Sequence, residues 1–141
     1  MAFLQLDYKS EALMRGVNVK VILPSDGMAG KWEPPYKTLY LLPGYSATAT
    51  ELITYLGLRG QSELKGIAIV LPDGENLFYQ DMPDRMTFYS TYVGKELEEV
   101  ARKLLPLSTK REDTFIGGIS MGGYGALYNG FKYRDTFSKV V

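Results

Sequence analysis

The sequence predicts an α/β fold built on a mostly parallel sheet, and three features carry that prediction. Short apolar strands alternate with helical segments along the chain, as they do in repeated strand–helix–strand units. The strands expected at 37–44, 66–74 and 113–118 show little alternation, which is typical of strands buried on both faces. Each of these strands ends in a glycine-bearing turn. Because the carboxyl ends of parallel strands share one edge of the sheet, we expect the three turns to meet where ligands bind.

Two further strands precede the buried ones. Residues 3–8 alternate between apolar and polar, and three valines share one face of 16–24, so each strand has a single buried face. We therefore expect an antiparallel pair at the edge of the sheet. Residues 25–35 collect Gly, Pro, Ser and Asp and predict a loop.

Helices are expected between the strands. Residues 50–60 predict a short helix with Thr50 as a possible N-cap. The stretch 92–106 has apolar residues at helical spacing and ends at a proline, and 122–131 predicts another helix. Residues 139–141 begin one more strand, which gives the chain about six.

Composition narrows the functional classes. Lys plus Arg equals Asp plus Glu at 16 each, so no excess positive charge favours nucleic acid or an anionic membrane as a partner. The 141 residues contain neither cysteine nor histidine, which excludes disulfides and a catalytic thiol. We expect no metal and no cofactor. The sequence shows no signal-peptide pattern and no transmembrane stretch, so we expect a single cytoplasmic domain over 1–141.

The stretch GISMG at 118–122 fits G-x-S-x-G, in which a serine nucleophile occupies a sharp strand-to-helix turn. A buried-type strand precedes it and a helix-compatible run follows, which favours a nucleophile elbow over a glycine-rich turn with Ser120 as a plain helix N-cap. Gly118, Gly122 and Gly123 are the expected elbow glycines, because side chains there would clash with the turn. The N-terminus of the following helix offers free N–H groups to a developing oxyanion.

Several segments resemble the N-terminal half of α/β-hydrolases of the esterase D group, which includes S-formylglutathione hydrolases, tributyrin esterases and feruloyl or acetyl esterases. The matching segments are YLLPGYSAT, VLPDGENLFYQDM, YVGKELEEV, PLSTKREDTFIGGISMGGYGAL and FSKVV. The resemblance implies an incomplete α/β-hydrolase fold with antiparallel first strands that ends at about the sixth strand. It also implies a serine carboxylesterase that acts on small acyl esters.

The resemblance assigns roles at the elbow and at the end of the third strand. It implies Ser120 as the nucleophile and the backbone N–H groups of Met121 and Tyr45 as an oxyanion hole. In the family the third strand usually ends in His-Gly, whereas here it ends in Pro43-Gly44. The glycine of the oxyanion loop is therefore kept, and one supporting side chain is replaced.

Residues 75–80, ENLFYQ, follow Asp73-Gly74, and together they resemble the Asp-Gly-x-Asn-x-Phe-Tyr segment that the family carries after this strand. Two interpretations stay open for it. Asn76, Phe78 and Tyr79 line an acyl or alcohol pocket, or they form a structural loop with aromatic residues packed beneath it. By family position Tyr124 belongs to the same possible pocket.

The acid and histidine of an α/β-hydrolase triad follow the nucleophile in the chain. Residues 121–141 contain no histidine and a single carboxylate, Asp135, for which we expect a structural role. We therefore expect a truncated domain that is inactive alone and that self-associates or pairs with a missing C-terminal segment.

Other catalytic arrangements have weaker support. A Ser-Lys dyad would place lysine three residues after the serine, and Ser120 has glycine there; Ser62 and Lys65 fit that spacing but lie in an expected loop. Asp81 and Asp84 are expected in a solvated turn. Two alternatives to the carboxylesterase remain, namely a thioesterase of the S-formylglutathione hydrolase type and a non-catalytic fragment that binds acyl groups or oligomerises.

Overall fold

The structure, a computed structural model, describes residues 1–26 and 31–141; the predicted loop at 25–35 therefore lies partly outside the described residues. In chain order its elements are β1 (Ala2–Ser10), β2 (Arg15–Leu23), β3 (Lys37–Leu42), α1 (Ala49–Tyr55), α2 (Leu58–Lys65), β4 (Ile67–Pro72), β5 (Asp81–Met82), β6 (Thr87–Phe88), α3 (Tyr89–Thr91), α4 (Leu97–Leu104), β7 (Thr114–Gly118), α5 (Met121–Lys132) and β8 (Lys139–Val140).

Within the described residues, six strands form one sheet in the order β1-β2-β4-β3-β7-β8. Strand β2 pairs antiparallel with both β1 and β4, whereas β3 runs parallel to β4 and β7, and β7 runs parallel to β8. The α/β fold with antiparallel first strands is thus confirmed. Strands β5 and β6 form a separate two-residue hairpin.

Two apolar layers cover the sheet, and the pattern of burial explains the strands. The inward valines of β2, Val17, Val19 and Val21, are buried, and β4 is buried along nearly its whole length. One layer packs α3, α4 and α5 against β2, β3, β4 and β7, and the other packs α1 and α2 against the opposite face. Because apolar burial is the main favourable contribution to folding, these two layers hold the strands that carry the site.

Three local features differ from the sequence prediction. Helix α1 is capped by Thr48, not Thr50: the Thr48 hydroxyl accepts from the Glu51 N–H, and the Glu51 carboxylate accepts from the Thr48 N–H. The single helix predicted at 50–60 is divided at Leu56 and Gly57, and its last residues belong to a second helix, α2, which continues through Ser62, where a loop was expected. Ser62 is fully buried on α2, and its hydroxyl donates to the carbonyl oxygen of Ile67 at 2.7 Å.

The third difference is a π-helical turn at Tyr92–Glu96, which connects α3 to α4. The ring of Tyr133 lies where a Cβ on Gly94 would be, so the glycine lets this ring pack directly against the turn. The predicted helix at 92–106 is therefore present but begins with a change of helical pitch.

Candidate active site

Ser120 lies between the end of β7 and the start of α5 with φ 57° and ψ −117°. A positive φ is unfavourable for a residue with a side chain, and such strain is concentrated at functional sites. The serine side chain is exposed, and it forms no hydrogen bond with the described part of the chain. Ser120 is therefore not a side-chain N-cap, and its hydroxyl is open to solvent at a sharp strand-to-helix turn.

Two of the three predicted elbow glycines are required by close backbone packing. A Cβ on Gly118 would overlap the backbone of Gly122, and a Cβ on Gly122 would overlap the carbonyl oxygens of Leu42 and Pro43. Gly123 differs, because a Cβ there would lie 3.4 Å from the Gly118 carbonyl oxygen, an ordinary contact. The turn thus depends on Gly118 and Gly122, and steric packing does not explain Gly123.

The loop after β3 passes beside the serine. The sheet pairs Leu42 with Gly118, so both chains leave the sheet at the same level. A Cβ on Gly44 would lie 3.0 Å from the Ile119 carbonyl oxygen and 3.4 Å from the Ser120 Cβ. Residues 43–46, called the oxyanion loop below, therefore run directly alongside the elbow.

The hydrogen bonds of this loop leave one N–H unused. The Ser46 N–H donates to Oδ1 of Asn76 at 2.7 Å, and the Ala47 N–H donates to the Gly44 carbonyl oxygen at 3.1 Å. Tyr45 precedes these two residues in the loop, and its N–H donates to no acceptor among the described residues. A free N–H at this position is available to a ligand oxygen.

The first N–H of α5 is also unused. The Gly122 N–H donates to the Ile119 carbonyl oxygen at 2.8 Å, and the Tyr124 N–H donates to the Ser120 carbonyl oxygen at 3.0 Å. The Met121 N–H, in contrast, finds no acceptor within the described chain. It lies at the positive end of the helix dipole, which favours an anionic oxygen.

Aromatic side chains border the oxyanion loop. The rings of Tyr45 and Phe78 have centroids 6.4 Å apart, and those of Phe78 and Tyr124 are 5.7 Å apart in an edge-to-face arrangement. All three are exposed, and the Tyr124 hydroxyl accepts from the Gln80 amide at 2.5 Å. These residues, with the exposed Asn76, form an open wall beside the elbow.

Tyr79 does not line a pocket, because its side chain lies in the core and not on the surface. Its side chain is only 1% exposed, and its hydroxyl donates to the Pro43 carbonyl oxygen at 2.6 Å. The structure therefore favours the structural alternative for this residue, because a buried ring cannot face a substrate. Phe78 and Tyr124 remain on the surface of the wall.

The sequence interpretation missed a cleft of about 380 Å³ on the other side of the oxyanion loop. It lies between α1 and the elbow and is lined mainly by Tyr45, Leu52, Tyr55, Leu56 and Ile119. Tyr55 is 79% exposed at the end of α1. The sequence signal that could have indicated this cleft is the consecutive pair Tyr55 and Leu56 at the end of α1. Both side chains are exposed in the structure.

The remaining carboxylate candidates differ in their surroundings, and Asp81 lies on β5 and not in the solvated turn that the sequence predicts. Both carboxylate oxygens of Asp81 accept from Thr91, one from its N–H and one from its hydroxyl, each at 2.9 Å. Asp84 and Asp135 are exposed. Among residues 1–26 and 31–141, no cluster of three or more metal-ligating side chains occurs. None of the helices in these ranges is long and apolar enough to cross a membrane.

Comparison with known proteins identifies the family to which the chain belongs. Residues 10–141 match the family described as "Putative esterase". The chain belongs to this esterase family. It is 38% identical to an acetyl esterase of Caldicellulosiruptor saccharolyticus over all of this chain and 55% of the relative. It is 28% identical to an S-formylglutathione hydrolase of Paracoccus denitrificans over 94% of this chain and 53% of the relative.

A solved structure confirms the predicted α/β-hydrolase fold. The fluorophosphonate-binding serine hydrolase F of Staphylococcus aureus superposes with a TM-score of 0.87 and 31% identity over 99% of this esterase chain and 55% of that protein. The resemblance to the esterase D group is likewise confirmed, since its S-formylglutathione hydrolases are among the relatives. The chain spans about half the length of the relatives that it matches.

Proposed function

We propose that this chain carries the nucleophile and the oxyanion hole of a serine carboxylesterase that acts on small acyl esters. One observation carries the proposal: the exposed, strained Ser120 lies beside an oxyanion loop and a helix start that each leave a backbone N–H without an acceptor among the described residues. These donors, Tyr45 and Met121, belong to the two elements that meet at the serine. Membership of the esterase family supports the same chemistry.

The proposed reaction has two steps. The Ser120 hydroxyl oxygen attacks the ester carbonyl carbon while its proton passes to a base, and the carbonyl oxygen becomes an oxyanion held by the two N–H groups. Collapse of this intermediate expels the alcohol, which takes up the proton, and leaves an acyl-serine. Water then attacks the acyl-serine by the same route and releases the carboxylic acid and free serine.

We expect the base to come from elsewhere, because the chain contains no histidine and no described carboxylate forms a hydrogen bond with Ser120. We propose that a base and its orienting carboxylate are supplied by polypeptide outside these 141 residues. The chain alone is then expected to be inactive toward esters.

The surroundings of Ser120 suit a small, uncharged substrate. Tyr45, Phe78 and Tyr124 present aromatic surface on one side, with the amide of Asn76 at its border. A thioester substrate is the second candidate, favoured by the similarity to an S-formylglutathione hydrolase. Both reactions use the same nucleophile and oxyanion donors, so only the substrate distinguishes them.

The outer face of α5 supports a role in pairing. Tyr124, Leu127, Tyr128 and Phe131 are exposed there and line a groove of about 630 Å³. We propose that this face packs against the polypeptide that supplies the base. Light scattering after size-exclusion chromatography tests the alternative, since a dimer of the 141-residue chain would indicate self-association through exposed apolar surface instead.

The proposed function is tested by ester hydrolysis with and without Ser120. The polypeptide encoded by the complete reading frame that contains this chain is expected to hydrolyse p-nitrophenyl acetate, with Ser120→Ala lowering the rate by about 10³-fold or more. The 141-residue chain is expected to show no difference between the serine and alanine forms. A rate that is insensitive to Ser120→Ala in the complete protein would overturn the proposal, and an S-acyl glutathione substrate decides between ester and thioester.

A further inference from the structure

The buried side chain of Tyr79 connects the loop that follows β4 to the oxyanion loop. Its hydroxyl donates to the Pro43 carbonyl oxygen at 2.6 Å, one peptide before the Gly44–Tyr45 bond. The ring fills space that two glycines leave open, since a Cβ on Gly74 or Gly125 would overlap the Tyr79 side chain. Packing from both sides therefore fixes the direction in which the hydroxyl points.

The same residue is tied to the helix that follows the nucleophile. Asn129 on α5 is fully buried, and its Nδ2 donates to the Tyr79 carbonyl oxygen at 3.2 Å and to the Gly125 carbonyl oxygen at 2.9 Å. Its Oδ1 accepts from the Ser90 hydroxyl at 2.6 Å. Tyr79 thus contacts α5 through both its ring and its backbone.

Asn76, three residues earlier, holds the far side of the oxyanion loop. Its Oδ1 accepts the Ser46 N–H at 2.7 Å. The segment 76–79 therefore contacts the loop on both sides of Tyr45, through Pro43 before it and Ser46 after it. The Tyr45 N–H lies between these two anchors and donates to no described acceptor.

We propose that Tyr79, assisted by Asn76, sets the position of the Tyr45 N–H relative to the Met121 N–H, and is a positioning residue of the oxyanion hole. This inference rests on the proposed function. Oxyanion donors act at about 2.7–3.1 Å from the developing charge, so a shift of the loop away from α5 weakens one of the two.

Burial keeps the Tyr79 hydroxyl in the form that this role needs. Burial, followed by the nearby Tyr89 and Asp73, raises the pKa of Tyr79 well above its usual range. The hydroxyl therefore remains protonated and continues to donate to Pro43 across the pH range in which esterases are assayed.

The first test measures the loop directly in the 141-residue chain. Tyr79→Phe removes only the hydroxyl, and we expect amide exchange of the Ser46 N–H, followed by NMR, to become about tenfold faster. Tyr89→Phe is the matched control, because Tyr89 is equally buried and its ring, which the substitution keeps, packs edge-to-face against Tyr79, while its hydroxyl accepts from Arg15 at 3.0 Å. Equal exchange rates in the two variants would overturn the inference.

The second test measures catalysis in the form of the protein that shows Ser120-dependent hydrolysis. We expect Tyr79→Phe to lower kcat about tenfold with little change in KM, less than the ~10²–10³-fold loss that follows removal of a donor. Tyr89→Phe is expected to change neither constant. A rise in KM at constant kcat would contradict a positioning role.

Asn76 contributes in two ways, through the side-chain oxygen that accepts the Ser46 N–H and through a backbone with a positive φ of 56°. Two substitutions distinguish these contributions. Asn76→Asp keeps an oxygen that accepts the Ser46 N–H but adds a negative charge near the oxyanion, whereas Asn76→Gly tolerates the positive φ and loses the acceptor, so both are expected to lower kcat and Asn76→Gly more strongly. Equal losses in both would contradict the role of Asn76. If no form of the protein hydrolyses esters through Ser120, the proposed function fails. The amide-exchange experiment then still shows whether Tyr79 holds the oxyanion loop in place.

Discussion

The two parts of the candidate oxyanion hole are held in place by different means. Within the elbow, Gly118 packs against Gly122, four positions away, and backbone hydrogen bonds close the turn, while Gly122 also packs against the backbone carbonyls of Leu42 and Pro43. The oxyanion loop is held by side chains far along the chain, from Asn76 to Ser46 and from Tyr79 to Pro43. A short motif can therefore specify the elbow, whereas the loop depends on the folded protein around it.

The largest expected effect comes from adding a methyl group inside the elbow. In Gly122→Ala the new Cβ would overlap the carbonyl oxygens of Leu42 and Pro43, which are backbone atoms and cannot rotate away. We expect the free energy of unfolding to fall by about 3 kcal/mol, at the upper end of the range for an added methyl group, because backbone atoms must move. Urea denaturation of the 141-residue chain measures this loss.

Gly123→Ala is the matched control for that substitution. Its Cβ would make an ordinary contact at 3.4 Å, and alanine favours a helix more than glycine does. We expect it to be neutral or to stabilise the chain by up to about 1 kcal/mol. A loss in Gly123→Ala as large as that in Gly122→Ala would show that the elbow is not shaped by the two close approaches.

The contrast between local and distant contacts also explains which features the sequence predicts. The main strands follow from apolar runs, and the turn at Ser120 follows from G-x-S-x-G, because both patterns lie within a few residues. The burial of Tyr79 depends on Gly125, 46 positions later, and no local pattern distinguishes it from the exposed Phe78 beside it. The sequence patterns therefore do not show which residues that are distant in the chain pack together in the fold.

Helix α2 was missed for a related reason. Its stretch, LRGQSELK, includes a glycine and few apolar residues, so its intrinsic helix signal is weak. Its buried residues, Leu58 and Ser62, hold it against the rest of the fold. Tertiary contacts thus decided the structure of a segment that local propensity left open.

The second-largest expected loss of stability comes from Asn129 on α5, which binds the backbone of Tyr79. Asn129→Ala would remove the amide that binds the Tyr79 carbonyl oxygen and would leave the buried Ser90 hydroxyl without its acceptor. We expect a loss of about 2–3 kcal/mol, measured by urea denaturation. Ser90→Ala removes the bond to the Asn129 Oδ1 and the bond that the Ser90 hydroxyl accepts from the Lys132 Nζ, but leaves the Asn129 donors in place, and it is expected to cost about 1 kcal/mol. If Ser90→Ala costs as much as Asn129→Ala, the tie to Tyr79 contributes nothing to stability.

The smallest expected effect concerns the point where α1 begins, just after the oxyanion loop. Thr48→Ala removes the hydroxyl that accepts the Glu51 N–H, and we expect a loss of about 1 kcal/mol. Thr50→Ala, at the N-cap that the sequence favoured, is expected to change stability by less than about 0.5 kcal/mol, because Thr50 lies inside the first turn and is exposed. A larger loss for Thr50→Ala in thermal denaturation would place the cap where the sequence predicted it. If Thr48→Ala is the more costly of the two, the Thr48 cap restrains the start of α1 locally, beside the distant bond that the Ala49 N–H donates to Asp73 at 2.7 Å.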